Sequence, residues 1–167
     1  MIPALVAVAA FAPMLVEAAI SARHDAALRR LGATDPAGDV YRAMQFAYPA
    51  AFAVLVTEAW LRQVESDATV AWGAVVFLLA KALKCWAITT LGTRWTFRVL
   101  VPPGAPRVVA GPYRFLRHPN YVAVIGELVG ASLMAHAWVT GPIVTIGFGL
   151  LIVRRIVVEE EALESGR

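Results

Sequence analysis

Charge is what this chain of 167 residues has least of. Only 16% of its residues are charged, 59% are hydrophobic, and the mean hydropathy is +0.66. Soluble domains carry roughly 25% charged and 45–50% apolar residues, so these proportions exclude an ordinary soluble domain and predict an integral membrane protein. Cysteine is nearly absent as well. The single Cys85 excludes an intrachain disulfide and a cysteine-cluster metal site. Because it lies in an apolar run, it is expected to be a buried, inert thiol. Internal repeats and low-complexity tracts are missing too. The net charge of +3 is modest, and neither a nucleic-acid partner nor a metal is expected. The length suits one domain, 1–167, with N-terminal helices over 1–68 and the half that carries the chemistry over 69–167.

Long hydrophobic runs are what the chain has in place of charge. Five stretches approach the roughly 20 apolar residues that cross a bilayer: 2–22, 43–61, 69–91, 119–137 and 139–157. The first lacks the positively charged start of a secretory signal and is longer than one, so it reads as a retained span. The last two are separated by a few residues around His136 to Pro142, which predicts a tight helical hairpin with Gly141-Pro142 as its turn. The fold class expected is therefore an all-α integral membrane protein of about five transmembrane helices. A cytoplasmic cap loop precedes the fourth helix, and a C-terminal helical extension follows the fifth.

Basic residues set the orientation. One side of the predicted spans holds Arg23, Arg29, Arg30, Arg42, Arg94, Arg98, Arg107, Arg114, Arg117, Arg154, Arg155 and Arg167, and the other only Arg62, beside Glu65 and Asp67. Lysine and arginine accumulate on cytoplasmic loops. The N-terminus is thus expected outside and the C-terminus inside, most simply in a bacterial inner membrane. The connection from Leu91 to His118 contains Pro102, Pro103, Pro106 and Pro112 with Gly92, Gly104 and Gly111, so it is not one continuous helix. Its interleaved Trp95, Phe97, Val99, Leu100, Val101, Val108 and Val109 argue against disorder and predict a cap folded over the cytoplasmic helix ends.

Glu17, Lys81, Lys84 and Glu127 fall inside the predicted spans, where each charge is expensive unless it faces a cavity or a partner. Counted from the cytoplasmic ends, Glu17, Lys84 and Glu127 lie in one layer roughly 7–12 Å deep at 1.5 Å per residue. Two readings are open. The four residues line a polar pocket that opens to the cytoplasm, or the lysines reach toward the interface and the acids pair with them structurally. Glu58, near the outer end of the second span, reads as interfacial.

The richest chemistry is in Gly111-Pro112-Tyr113-Arg114-Phe115-Leu116-Arg117-His118-Pro119-Asn120-Tyr121. Pro119 suits the first turn of a helix, where its missing N–H costs nothing. The free N–H groups of that turn form a site for an anion such as a carboxylate. His118 and Tyr121, three residues apart, share a helix face. An interfacial belt of Tyr, Arg and His is the alternative account. After the hairpin, Arg154, Arg155 and Glu159-Glu160-Glu161 return to the same membrane face, with Glu159 one turn from Arg155.

Taken in order, these elements resemble the isoprenylcysteine carboxyl methyltransferase and phospholipid methyltransferase superfamily, bacterial members included. The resemblance rests on Gly-Pro-Tyr (111–113), Arg-His-Pro-x-Tyr (117–121), an apolar hairpin, and Arg155-Ile156-Val157-Val158-Glu159-Glu160-Glu161-Ala162-Leu163. Upstream, Leu91-Gly92-Thr93-Arg94-Trp95-Thr96 and Pro103-Gly104 resemble bacterial members too. It covers about 80–163. Where many members place a glycine soon after the motif tyrosine, this chain has Val122-Ala123, and its first glycine is Gly126.

The resemblance implies an S-adenosylmethionine-dependent membrane methyltransferase. His118 and Tyr121 would contact the cofactor, with Pro119 fixing the helix start. Glu159 and Glu160 would take its ribose hydroxyls or amino group, and Tyr113 and Arg117 would brace the cap and meet its carboxylate. A phenol or amine acceptor would need a general base, for which Glu127 and Glu17 are the candidates, whereas a carboxylate would need none. The acceptor would be an amphiphilic, lipid-like small molecule at the cytoplasmic face, such as an alkyl phenol or a quinone-like lipid. Arg94 and Arg98 are placed either to receive an acidic head group or to anchor the interface.

Two other readings belong to different classes. A sterol-reductase-like enzyme using NADPH shares a His-Pro-Asn-Tyr element at a helix start, but the Glu-Glu tail favours the methyltransferase. The other is a non-catalytic scaffold or a haem- or lipid-binding membrane protein; a bis-histidine haem would need His24 with His118, since His136 is expected on the opposite face.

Overall fold

A backbone in lipid must satisfy its own polar groups, and for a single chain segment the helix is the local solution. The computed structural model describes residues 1–104 and 106–165, so Arg167 of the expected cytoplasmic set lies outside them. Five α-helices form among the described residues: α1 (Ile2–Arg30), α2 (Tyr41–Leu61), α3 (Ala68–Leu91), α4 (Pro119–Met134) and α5 (Thr140–Ser165). Among the described residues the only β pairing is an isolated bridge between Thr34 and Val101.

Of the five expected spans, three helices are long and apolar enough to cross a membrane: α1, α5, and α3 carried on by a 3-10 turn to Arg94. With the family assigned below, they make this an integral membrane protein. α4 has 16 residues, about 24 Å at 1.5 Å per residue, which is less than the roughly 30 Å of hydrocarbon. It is enclosed by its neighbours, with Ala123, Glu127, Leu128 and Ala131 all buried.

Several boundaries differ from the expected ones for physical reasons. α1 continues to Arg30 rather than ending near 22, because Ala22, Ala26, Ala27 and Leu28 are good helix formers and Leu28 is buried. The hairpin turn lies at 135–139, where His136 adopts a φ of 47°. Gly141 and Pro142 therefore stand in the first turn of α5, where a proline costs no hydrogen bond. α5 runs without a break through the C-terminal extension. Cys85 is exposed, not buried. The inward stripe of α3 is Phe77, Ala80, Lys84 and Ala87, which turns the next residue outward.

The centre of the bundle is the α3–α4 pair, where glycines let two backbones touch. A Cβ at Gly73 would fall 2.6 Å from the Met134 nitrogen, and one at Gly130 would fall 2.6 Å from the Phe77 nitrogen. Small residues at helix contacts give lipid-embedded bundles this close packing. The remaining core joins Val6, Phe52, Leu55, Leu128, Phe148 and Ile152. At the end of the bundle away from the 91–118 connection, Glu58 is more than interfacial: its Oε2 accepts from Thr140 N at 3.0 Å and Thr140 Oγ1 at 2.5 Å, capping α5. Asp67 caps α3 through Val70 N at 2.9 Å.

In the connection before α4, residues 95–101 lie against the C-terminal end of α1 and the α1–α2 connection. Phe97 N donates to Ser21 Oγ at 2.8 Å, and His24 Nδ1 lies 2.7 Å from the Trp95 carbonyl oxygen. Arg98 pairs with Asp25 at 3.3 Å and Asp35 at 3.2 Å and lies 4.2 Å above the Tyr41 ring. Trp95, Val99 and Leu100 are buried beneath it.

Candidate functional site

Pro119 starts α4 and leaves His118 at the N-cap position with no side-chain capping bond, so its imidazole is free to turn toward α5. The His118 and Tyr121 rings stack with centroids 5.6 Å apart and planes 27° apart. The helical hairpin brings the end of α5 back to this pair. His118 Nε2 lies 2.9 Å from Glu160 Oε1 and Nδ1 lies 3.8 Å from Glu159 Oε2. The Tyr121 hydroxyl donates to Glu159 Oε2 at 2.6 Å and accepts from Arg155 Nε at 3.0 Å. Arg155 and Glu159, expected as direct neighbours one turn apart, are thus bridged by a phenol from another helix. Arg107 of the cap donates to Glu160.

Of these, Arg107, His118, Tyr121, Arg155 and Glu159 form one wall of a half-open cavity of about 140 Å³ between the cap, α4 and α5, while Glu160 reaches it only through its contacts with Arg107 and His118. Trp95, Val99, Leu100, Val108 and Leu163 supply its apolar surface, while Tyr113, Arg117, His118, Asn120, Tyr121 and Glu159 supply its polar one. Burial raises the pKa of the Tyr113 phenol, and the charge of Glu159 adds to the effect, so it remains a proton donor through the neutral range. Arg117 is exposed at the rim and, among the described residues, has no ion-pair or hydrogen-bond partner. Arg94 and Arg98 also line the cavity. Arg98 is already held by two aspartates, and Arg94 donates to the Pro106 carbonyl at 2.7 Å.

Six of the seven sequence-predicted cofactor residues meet here, Tyr113, Arg117, His118, Tyr121, Glu159 and Glu160, while Pro119 sits buried beneath them as the helix start. Glu17 and Glu127 do not join them. They form a separate buried cluster with both lysines: Lys81 Nζ lies 3.1 Å from Glu17 and 3.0 Å from Glu127, and Lys84 Nζ lies 2.7 Å from Glu17 and 3.4 Å from Glu127. Tyr48 donates to Glu127, and its ring lies 5.2 Å from Lys84 Nζ. Neither acid lines the cavity. His24 and His136 are also apart from His118: the first is tied to the Trp95 carbonyl, and the second lies 3.2 Å from Asp67 at the start of α3.

Three residues at the site had no assigned role in the sequence reading. Arg107 was counted only for orientation, although it closes on Glu160. Asn120, between two motif residues, accepts from Trp95 Nε1 at 3.3 Å. Asp39, in the α1–α2 connection, lies 2.9 Å from Arg155 Nη1. Nothing in the sequence marks Asp39, since an aspartate after a glycine is ordinary turn composition.

With this geometry in place, comparison with known proteins is informative. The family model described as isoprenylcysteine carboxyl methyltransferase (ICMT) matches residues 73–165, more than half of the chain. The chain belongs to that family. The ICMT match takes in α3 from its second turn, the cap, α4 and α5, and hence every cavity-lining residue named above; Asp39, which does not line the cavity, contacts Arg155 from outside the matched segment. Membership brings with it membrane methyltransferase activity. Relatives extend the likeness over the N-terminal helices. The uncharacterised protein YpbQ of Bacillus subtilis (strain 168) is 29% identical over 149 residues, covering 89% of both chains. An uncharacterised protein of Haemophilus influenzae is 28% identical over 145 residues, covering 86% of this chain and 84% of its own length. No solved structure matches.

Proposed function

We propose that this protein transfers a methyl group from S-adenosylmethionine to an oxygen, or a nitrogen, of an amphiphilic lipid-like acceptor at the cytoplasmic face of a bacterial inner membrane. The observation that carries this reading is the joining of two distant motifs beside one cavity, through the His118–Glu160 contact at 2.9 Å and the Tyr121–Glu159 bond at 2.6 Å.

The chemistry of the donor set fits such a cofactor. Two carboxylates suit ribose hydroxyls and an ammonium. Arg117, which has no partner among the described residues, and the N–H groups opening α4 suit a carboxylate. The aromatic and aliphatic wall suits a purine. A cavity of about 140 Å³ is close to one that holds benzene, about 150 Å³, so one ring is enclosed while the remainder of a nucleoside–amino acid lies along the open side. When bound, the cofactor supplies a methyl group already activated on a sulfonium.

The protein's own contribution is position. His118 and Tyr121 present a flat stacked surface, Glu159 and Glu160 fix polar ends, and the cap excludes water. Orientation of this kind accounts for about 7–11 kcal/mol of barrier in well-aligned systems. Glu127 and Glu17 are the expected bases for a phenol or amine acceptor. Each is paired with both lysines and stands outside the cavity wall. That favours an acceptor whose oxygen arrives already deprotonated, such as a carboxylate. Orientation with the N-terminus outside, and α2 and α4 as the second and fourth of five spans, complete the reading.

The test is calorimetric titration in detergent with S-adenosylhomocysteine, with NADPH in parallel. Micromolar binding of the homocysteine compound alone is expected. His118→Ala and Glu160→Ala should each weaken it by about tenfold or more, roughly 1.4 kcal/mol per decade, in protein that remains folded. Undiminished affinity in both variants would remove this site, and binding of NADPH alone would move the protein to the reductases.

A further inference from the structure

The matched family segment begins at residue 73, yet one ion pair of the candidate site comes from before it. Arg155 is 5% exposed and Asp39 8% exposed, at 2.9 Å, between helix α5 and the connection that precedes α2. Their neighbours show what the pair holds. Asp39 Oδ1 accepts from Arg155 Nη1 and from Tyr41 N at 3.0 Å, while Oδ2 accepts from Val99 N at 3.4 Å. Arg155 spends its other donors on the Phe97 carbonyl and on the Tyr121 hydroxyl at 3.0 Å. That hydroxyl, having accepted from Arg155, directs its own proton to Glu159 at 2.6 Å.

We infer that Asp39 is a positioning residue for the cavity, acting through Arg155 to set the Tyr121 hydroxyl and the Glu159 carboxylate. The inference rests on the reading of this cavity as the cofactor site. The direction of each bond supports it. A guanidinium has only donors, so Arg155 can meet the Tyr121 oxygen in one way, which leaves the phenolic proton for Glu159. Without Asp39, Arg155 would be a buried charge lacking its counter-ion. Glu159, on the next turn of the same helix, offers an alternative carboxylate, and a switch to it would take both Arg155 and Glu159 away from Tyr121. The N-terminal helices thus complete the site rather than only anchoring it.

Removing one member of a buried pair also destabilises the fold, so a stability loss alone decides nothing. The experiment compares Asp39→Asn with Glu58→Gln, which weakens the cap of α5 at the far end, and combines Asp39→Asn with Tyr121→Phe. S-adenosylhomocysteine affinity is read by calorimetry, and amide hydrogen exchange is read in the ligand-free protein. The expected result is about a tenfold weaker affinity for Asp39→Asn and an unchanged one for Glu58→Gln. The Asp39→Asn, Tyr121→Phe double variant should be no weaker than the weaker single, since both act through one hydroxyl. Wild-type affinity in Asp39→Asn, equal losses in Asp39→Asn and Glu58→Gln, or additive losses in the double variant would each overturn the inference. If the wild-type protein binds no S-adenosylhomocysteine, the cofactor reading fails, and exchange decides the positioning alone. Faster exchange over 95–101 and 155–163 in Asp39→Asn but not Glu58→Gln upholds it, and unchanged exchange there overturns it.

Discussion

Lys84 has a side chain only 2% exposed and two carboxylates to face, with Lys81 completing a set of two cations and two anions. One missing charge in such a set is worse than two, because removal of a single partner leaves a buried charge uncompensated at a cost of about 3–5 kcal/mol. Lys84→Met should therefore lower the denaturation midpoint in detergent more than Lys84→Met combined with Glu17→Gln, which leaves the neutral Lys81–Glu127 pair. Equal or larger loss in the double variant would mean that the cluster acts as separate bonds. That these four charges meet was legible in the sequence, since short acidic side chains within apolar spans need partners nearby. Which partner each acid takes was not legible, because it depends on how α1 and α4 are rotated against α3. Cys85 shows a related blind spot: a residue facing lipid and one facing the bundle both sit in apolar sequence. Only its place beside the inward Lys84 distinguishes the two.

At the scale of elements, the contact between α3 and α4 is set by glycine. A methyl group at Gly130 would meet backbone atoms of Phe77, which have no rotamer with which to yield, whereas one at Gly147 on α5 meets nothing within 4 Å. Gly130→Ala is expected to destabilise by about 1–3 kcal/mol, as overpacking commonly does. Gly147→Ala should be neutral or stabilising by up to about 1 kcal/mol, from helix propensity. Unfolding in a denaturing detergent series measures both, and similar values for the two would contradict the close approach. The existence and order of all five helices could be read from hydrophobic length. The ends could not, because a span-length count stops where water begins while α1 and α5 continue as helices beyond it. The hairpin turn was displaced for a different reason: Gly-Pro is as much at home in the first turn of a helix as in a bend.

For the whole molecule, the distribution of arginine implies one orientation, and accessibility can test it. In a Cys85→Ser background, a cysteine at the exposed Arg62 should react with a membrane-impermeant maleimide in intact cells. One at the exposed Arg114 should react only after the membrane is opened. The reverse pattern would invert the protein and place the cavity outside. The N-terminal helices were the part least legible in function, since only their topology matched the family pattern. Their contributions include Ser21 and His24 to the cap and Asp39 to Arg155, polar contacts made across more than 70 residues.

The cap is held in part by ion pairs that touch water. The paired side chains are 34% and 19% exposed in Arg98–Asp25, 34% and 39% in Arg98–Asp35, and 33% and 25% in Arg107–Glu160. The four charges deeper in the bundle are no more than 14% exposed. Raising ionic strength from physiological to molar shortens the screening distance from about 8 Å to about 3 Å and spares buried pairs. Electrolyte thus slackens the cover over the chamber while the charges between the helices keep their grip, so the cover can be loosened alone without changing a residue.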